Sequence, residues 1–393
     1  MRNFPKRGGR YLLAPNAFKG SLSATQAARA MAIGVRRSGG TPVLLPLADG
    51  GDGTLDVLRK PLGLRLRQAK VLDPRCREIS AAWGYNKKTR LAVIEMARAS
   101  GLALLKSDEC RRPLETTSYG TGQLIHAAVR SGAKVILLGL GGSATVDGGL
   151  GLLQALGAKI TVQRARINNI LERPAKGRDL LSLHSIDATA VGRTLKGVRI
   201  RVLCDVRNPL LGPRGAARAF GPQKGATPTE VRFLERGLAR LAAMLHSKRK
   251  DISKIAGAGA AGGAATGLVG LTNARLESGA ESIFKMIELE EHVQQADVVI
   301  TGEGRIDRTS WEGKGLGHLL SLCRRHNKPL IALAGGIGPG GRRLGVRLQL
   351  LGNDRMSQKE KIQKARFLIE NAVLYLTRRQ SRLSQYRPNK VIS

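Results

Sequence analysis

The chain has 393 residues, with 66 Lys and Arg against 29 Asp and Glu, a formal charge of +37. Hydrophobic residues make up 42% of it, which excludes a disordered polyelectrolyte and is enough to build the cores of two or three domains. Aromatics at 3% are too scarce for a single-strand nucleic-acid binder that interleaves stacking rings with basic residues, and 49 Gly suit an α/β protein with many tight turns better than an all-β sandwich.

In chain order, Tyr11-Leu12-Leu13-Ala14 reads as a strand, broken at Pro15 to Gly20. A helix is expected over 24–35. Ser23 is its N-cap, because a hydroxyl there can accept from a free helix N–H, and Gln26 completes a capping box. A strand over 42–47 leads to Ala48-Asp49-Gly50-Gly51-Asp52-Gly53-Thr54, a loop opening a helix. Strands are expected at 64–71 and 91–97 and a helix at 121–131. The run 134–140 is nearly all apolar, as in a strand buried on both faces, and ends at Gly141-Gly142-Ser143-Ala144-Thr145. Residues 166–198 read as an irregular, charged, exposed excursion. A strand over 198–204 ends at Asp205, and Pro228 to Leu245 reads as a helix with Pro at its first position. Strands at 296–301 and 329–334 bracket a helix at 316–325. A closing helix is expected over 359–378, followed by a basic tail, 379–393. Strand, glycine turn, helix, strand is the pattern of a parallel α/β sheet.

Cys76, Cys110, Cys204 and Cys323 show no CxxC spacing and read as reduced thiols. The basic N-terminus lacks the apolar core of a signal peptide, and no apolar run reaches the roughly 18 residues of a membrane span. A soluble, cytoplasmic protein with no membrane partner is expected. The histidines show no HxxxH or HxH pair. No Walker A is present, since Gly313-Lys314 runs into Gly315. Gly257-Ala258-Gly259-Ala260-Ala261-Gly262 matches GxGxxG, but the polar stretch before it is no core strand, so nicotinamide binding is not expected.

The chemistry is expected at the glycine loops. Ligands of parallel α/β sheets bind beyond the carboxyl ends of the strands, and glycine lets backbone N–H groups approach phosphate oxygens. Asp49, Asp52, Asp147, Asp205, Glu303 and Asp307 all lie beside glycine or at a strand end. A carboxylate there can hold Mg²⁺ or accept a proton from a substrate hydroxyl; equally, it can simply cap a turn or helix.

Several of these loops together resemble the bacterial type I glycerate kinases. The matching motifs are 14–24 (APNAFKGSLSA), 48–54 (ADGGDGT), 116–122 (TTSYGTG), 141–149 (GGSATVDGG), 204–213 with 220–226, 257–263, and 301–307 (TGEGRID), in the family's order over about residues 11–340. Asn16-Ala17 stands where many members carry Asp-Ser. The resemblance implies two α/β domains facing a cleft, one of them Rossmann-like with a mainly parallel sheet built from both chain ends (1–62 and 285–378). The second would span 63–284, with 116–160 assignable to either. It further implies ATP-dependent, Mg²⁺-dependent phosphorylation of D-glycerate, giving 2-phosphoglycerate in most members.

On that resemblance Asp205 is expected to orient or deprotonate the glycerate hydroxyl. Asp49 and Asp147 are the alternative bases or the Mg²⁺ ligands. Lys19, Lys224 and Arg305 are expected to pair with the glycerate carboxylate or the ATP phosphates. Gly50, Gly51, Asp52, Gly141, Gly142, Ser143, Glu303 and Asp307 would line the substrate and ATP sites. Two other readings stay open: the same scaffold acting on another hydroxy acid, and a non-catalytic, basic polyanion-binding protein. Nucleic acid is not the expected main partner, and an oligomer is left open.

Overall fold

The computed structural model describes residues 8–105, 111–246, 251–312, 315–353 and 356–383, so Cys110, Lys314 and the tail from 384 onward lie outside the described residues. Among the described residues there are fourteen strands. They are β1 (Arg10–Leu13), β2 (Thr41–Leu44), β3 (Arg65–Leu72), β4 (Glu78–Asn86), β5 (Leu91–Glu95), β6 (Val135–Gly139), β7 (Lys159–Arg164), β8 (Ile167–Ile170), β9 (Leu183–Asp187), β10 (Arg199–Leu203), β11 (Arg275–Glu277), β12 (Val298–Glu303), β13 (Leu330–Ala334) and β14 (Val346–Leu350). The chain divides into two compact units, one drawn from 1–49, 56–61 and 280–393, the other from 50–55 and 62–279.

The first unit holds a five-stranded, wholly parallel sheet in the order β14-β13-β12-β1-β2. β12 and β13 are buried almost throughout, which explains their uniformly apolar runs. From β1 the chain crosses through the helix Ala24–Arg37 to β2 on one side; from β12 it crosses through Leu316–Arg325 to β13 on the other. β1 and β12 are therefore neighbours from which the winding departs in opposite directions. The Ser23 capping box forms, with Ser23 Oγ accepting from Gln26 N at 3.2 Å and Gln26 Oε1 from Ser23 N at 2.9 Å. The single closing helix expected over 359–378 is two. Ser357 caps Gln358–Gln363 with its own box to Glu360, Lys364 ends it, and Ala365–Leu383 starts afresh. That second helix packs on Ala24–Arg37, where a Cβ on Gly34 would come within 2.6 Å of Glu370 O.

The second unit holds a six-stranded mixed sheet, β11-β10-β6-β5-β4-β3, in which β11, β10, β6 and β5 are parallel and β4 and β3 antiparallel. Its core gathers Ile94, Leu124, Ile136, Leu138, Leu152 and Val202, all essentially inaccessible. Segment 116–160 lies wholly within this unit.

Residues 166–198 are not irregular. They supply β8, β9, a 3₁₀ turn (Gly177–Ser182) and a short helix (Thr189–Thr194), and β7 joins β8 and β9 in a three-stranded antiparallel sheet. The charge that suggested an exposed excursion is partly internal. Asp179 is fully buried and holds the Arg173 guanidinium through two bonds, at 2.6 and 2.8 Å, while accepting from Lys176 N at 3.0 Å. No described helix is long and apolar enough to cross a membrane.

Two glycines of this unit make opposite predictions. A Cβ on Gly120, in the helix Tyr119–Arg130, would lie 1.8 Å from Leu72 O, whereas one on Gly192 meets nothing within 4 Å. Gly120→Ala is expected to destabilise by about 3 kcal/mol, lowering the thermal midpoint by about 5–10 °C. Gly192→Ala should leave stability unchanged or raise it by up to about 1 kcal/mol, with the midpoint following in the same direction. Calorimetry of both variants checks this, and equal midpoints would contradict the packing.

Candidate active site

In the first unit the loops after β1 and β12 meet at the point where the winding reverses. Their backbones are tied together, with Ala14 N donating to Ile300 O at 2.8 Å and Asn16 N to Gly302 O at 2.9 Å; the Thr301 hydroxyl donates to Ala14 O at 2.7 Å. A Cβ on Gly304 would lie 3.3 Å from Lys19 N, a tight contact, so the two loops approach each other closely here. Together with Gly335, Leu351 and the helices Gln358–Gln363 and Ala365–Leu383 they line an open pocket of about 490 Å³, with Lys19, Glu303, Arg305, Asp307 and Ser310 on its wall. The crevice outside the strand ends at such a reversal is where open α/β sheets take ligands.

Glu303 is the group of interest in this pocket. Burial raises its carboxyl above the ordinary carboxylate range, against side-chain hydrogen bonds from Ser310 and Asn16; Asp307 pushes the same way as burial and Lys19 opposes it. Among the described residues its buried Oε1 has no hydrogen-bond partner. Asp307 is occupied differently. Its Oδ1 accepts from Thr309 N at 2.9 Å and the Thr309 hydroxyl at 2.5 Å, which hold its carboxyl below the usual range, so it caps the short helix Arg308–Glu312. Lys19 and Arg305 are exposed, as is Asp49, the last residue of this part of the unit.

In the second unit the sites expected from sequence gather at the carboxyl ends of β6 and β10. Gly50-Gly51-Asp52 lies on the backbone that leaves β6. Gly141 N donates to Gly50 O at 3.3 Å, and a Cβ on Gly141 would stand 2.3 Å from Gly51 Cα. A Cβ on Gly142 would fall 2.3 Å from Asp52 Oδ1, so that carboxylate rests directly against the Gly142 backbone. Beside them, at the end of β10, Asp205 is half-buried and its Oδ1 accepts from the Ser278 hydroxyl at 3.0 Å. Ser278 was not anticipated, because it follows a three-residue strand too short to carry a pattern.

Two expected ligand contacts have other occupations. Asp147 is completely buried, its Oδ2 accepting from Ser118 Oγ at 2.7 Å and Ser118 N at 2.8 Å and its Oδ1 from Gly149 N at 3.1 Å. Burial raises its carboxyl, and these donors pull it back down. The carboxylate ties the 116–119 turn to the start of the helix Leu150–Ala155, with no surface left for a metal or a substrate proton. Lys224, expected on a ligand anion, is also buried. Its Nζ donates to Ser143 Oγ at 3.0 Å and Thr145 O at 2.7 Å. The GxGxxG stretch follows a 3₁₀ turn (Ile252–Lys254), not a strand; a Cβ on Gly262 would meet Thr145 O at 2.1 Å, so it packs against this same loop. Among the described residues no group of three or more His, Cys, Asp or Glu is placed to hold a metal unaided.

A parallel sheet with a pocket at its reversal point, and a second sheet with glycine loops and carboxylates at its strand ends, define an α/β ligand-binding enzyme scaffold. The model of the glycerate kinase family matches residues 11–380. The chain is 41% identical over 329 residues to glycerate 2-kinase of Escherichia coli K12 (83% of this chain, 85% of that one) and 41% identical over 332 residues to glycerate kinase of Bacillus subtilis 168 (83% and 85%). A crystal structure described as glycerate kinase 2 from Salmonella typhimurium LT2 superposes with a TM-score of 0.80 at 36% identity, covering 96% of this chain and all of that one. The chain belongs to the glycerate kinase family.

Burial depresses Lys224 to about 7, with Asp147 acting in the opposite sense. A folded-state value below the unfolded one means that the unfolded chain binds the extra proton between about pH 7 and pH 10.5. The burden on stability is complete below pH 7 and lifts as pH rises. Lys224→Met, which carries no charge, should therefore gain in thermal midpoint relative to the unchanged protein as pH falls from 9 to 6. A pH-independent difference between the two melting curves would contradict the buried titration.

Proposed function

We propose that this chain phosphorylates D-glycerate with ATP as donor and Mg²⁺ as cofactor, giving 2-phosphoglycerate. The observation that carries the reading is the pocket at the β1/β12 reversal, where family-type loops place Lys19, Glu303 and Arg305 around one opening. Phosphoryl transfer asks the protein mainly to hold a hydroxyl in line and to neutralise charge spreading over the phosphoryl oxygens. Lys19 and Arg305, exposed and cationic, suit the glycerate carboxylate or the ATP phosphates. In the Gly141-Gly142-Ser143 loop the Gly141 N–H is given to Gly50 O, and the N–H groups of Gly142 and Ser143 are the ones proposed to meet an anion. Asp205, steadied by Ser278, is the acid assigned to orient or deprotonate the glycerate hydroxyl.

For the metal, Glu303 fits, since a buried carboxylate oxygen without a donor calls for a cation or a proton. Asp49, exposed, is the second proposed ligand; Asp147 is not, for the reason given above. Mg²⁺ is usually held by one or two carboxylates with substrate phosphates, which agrees with the lack of a larger acidic group among the described residues. When bound, it would supply charge neutralisation to the phosphates.

A coupled ADP-release assay across D-glycerate, tartronate and other hydroxy acids tests the substrate, and NMR of the product separates position 2 from position 3. Asp205→Asn should lower kcat by about 10²–10⁴ in a folded protein. A change within a few-fold would remove Asp205 as the base. Lys19→Ala should raise KM for D-glycerate or ATP about tenfold or more, and unchanged kinetics would take Lys19 out of the site.

A further inference from the structure

Lys224 sits in the second unit on a turn between the helix Ala216–Phe220 and the helix Pro228–His246, with its ammonium driven into the loop that leaves β6. Only 3% of the residue is exposed. A charged ammonium has three donors, and among the described residues Nζ finds two acceptors, Ser143 Oγ and Thr145 O. The charged groups around it do not complete the set. Asp147 bears on it electrostatically, but its carboxylate is spent on Ser118 and Gly149. On the other side of the turn Arg111 lies against Gly225 and directs its guanidinium to Gln223 O, at 3.3 Å. Thr145 Oγ1, in the same loop, is buried without a partner.

A neutral amine carries no charge to bury and can pair with both neighbours: one of its two N–H groups donates to Thr145 O, its lone pair can accept from the Ser143 hydroxyl, and one uncharged N–H is left over. A protonated amine cannot accept, so the Ser143 O–H must turn elsewhere. Ser143 is the least buried member of the set, at 8% exposure, and adjoins Gly142, which is exposed. We infer that Lys224 is a positioning residue whose protonation sets the direction of the Ser143 hydroxyl. Protonated, it turns the O–H outward as a donor for an anionic ligand at the Gly141–Ser143 loop; neutral, it draws the O–H inward and leaves an oxygen lone pair facing that ligand. This rests on the kinase reading only for the identity of the anion, a carboxylate of D-glycerate or a phosphate of ATP.

The depressed value near 7 puts the change within the working pH range. Binding an anion at Ser143 then favours the protonated form, so affinity falls as pH rises above 7, by up to about tenfold per pH unit.

The experiment measures KM and kcat separately for D-glycerate and for ATP between pH 6 and 9, in the unchanged protein and in Ser143→Ala and Lys224→Arg. The unchanged protein should show KM for one of the two substrates rising above pH 7, and the arm that rises identifies the anion. Lys224→Arg, permanently charged, should keep KM low and flat. Ser143→Ala should leave KM high and flat, with kcat much less affected. Comparing variants cancels the titration of ATP itself.

A second readout needs no activity. In protein labelled at lysine Cε, the Lys224 ¹³C resonance, assigned by its loss in Lys224→Arg, should titrate near neutrality. In Ser143→Ala, where the hydroxyl is gone, its midpoint should move. If Lys224→Arg does not fold, Ser143→Ala and the titration of the unchanged protein decide the matter. A Lys224 titration near 10, or a KM–pH profile that survives Ser143→Ala intact, overturns the inference. An absence of D-glycerate-dependent ADP release sinks the kinase reading instead, and leaves the resonance titration to decide the role of Lys224.

Discussion

The second unit is organised around a contact of bare backbone on bare backbone. The Gly50-Gly51 segment lies across the carboxyl ends of β6 and β10 so closely that a Cβ on Gly139 would fall 2.5 Å from Gly50 O, and one on Gly50 only 2.9 Å from Leu203 O. Gly50 itself has φ +89°, which glycine adopts without strain. This contact sets Asp52 against Gly142 and fixes the height of the Gly141–Ser143 loop above the sheet. Side chains there would lift the segment away, and the polar groups at the strand ends would lose their common floor.

Elsewhere in this unit as well as on that floor, buried ionisable groups are handled in different ways, and three of them show the range. Asp179 is paired, bidentate, with the Arg173 guanidinium. Asp147 is surrounded by backbone and hydroxyl donors and, among the described residues, has no cation bonded to it. Lys224 finds, among the described residues, two neutral acceptors for its three donors. The first two arrangements compensate the buried charge, and their natural consequence is rigidity. The third compensates it incompletely, and its natural consequence is a proton that comes and goes. Burial alone therefore does not distinguish structural from functional groups; the count of partners does.

Much of the architecture was legible because it rests on patterns with a single physical origin. The apolar runs that became β6, β12 and β13 are strands covered on both faces, and the Ser23 and Pro228 starts are local hydrogen-bond and backbone effects. The parts that were not legible lack such a signature. β8 is exposed at all four residues and so shows no alternation, and β11 is three residues long. Asp179 and Arg173 look like surface charges until the fold brings the pair inward. The break at Lys364 has no glycine or proline beside it to mark it, while the Ser357 and Glu360 box that starts the first of the two helices is a local signal of its own.

The loop acids show where motif reading stops and geometry has to take over. All six stood beside a glycine or at a strand end and were indistinguishable in sequence. In the fold, Asp147 is consumed by Ser118 and Gly149, and Asp307 by Thr309 and Ser310. Glu303 keeps a buried oxygen without a partner among the described residues, and Asp205 stands half-buried at the end of β10 with the Ser278 hydroxyl on its Oδ1. An acid whose lone pairs are already filled by its own chain holds the loop in shape. An acid with capacity left over, in a place where leaving it unfilled is costly, is the one that a cation, a proton or a substrate hydroxyl can complete. Against a chain charge of +37, carried mostly outside these loops, that leftover capacity is a sharper guide to the chemistry than the charge itself.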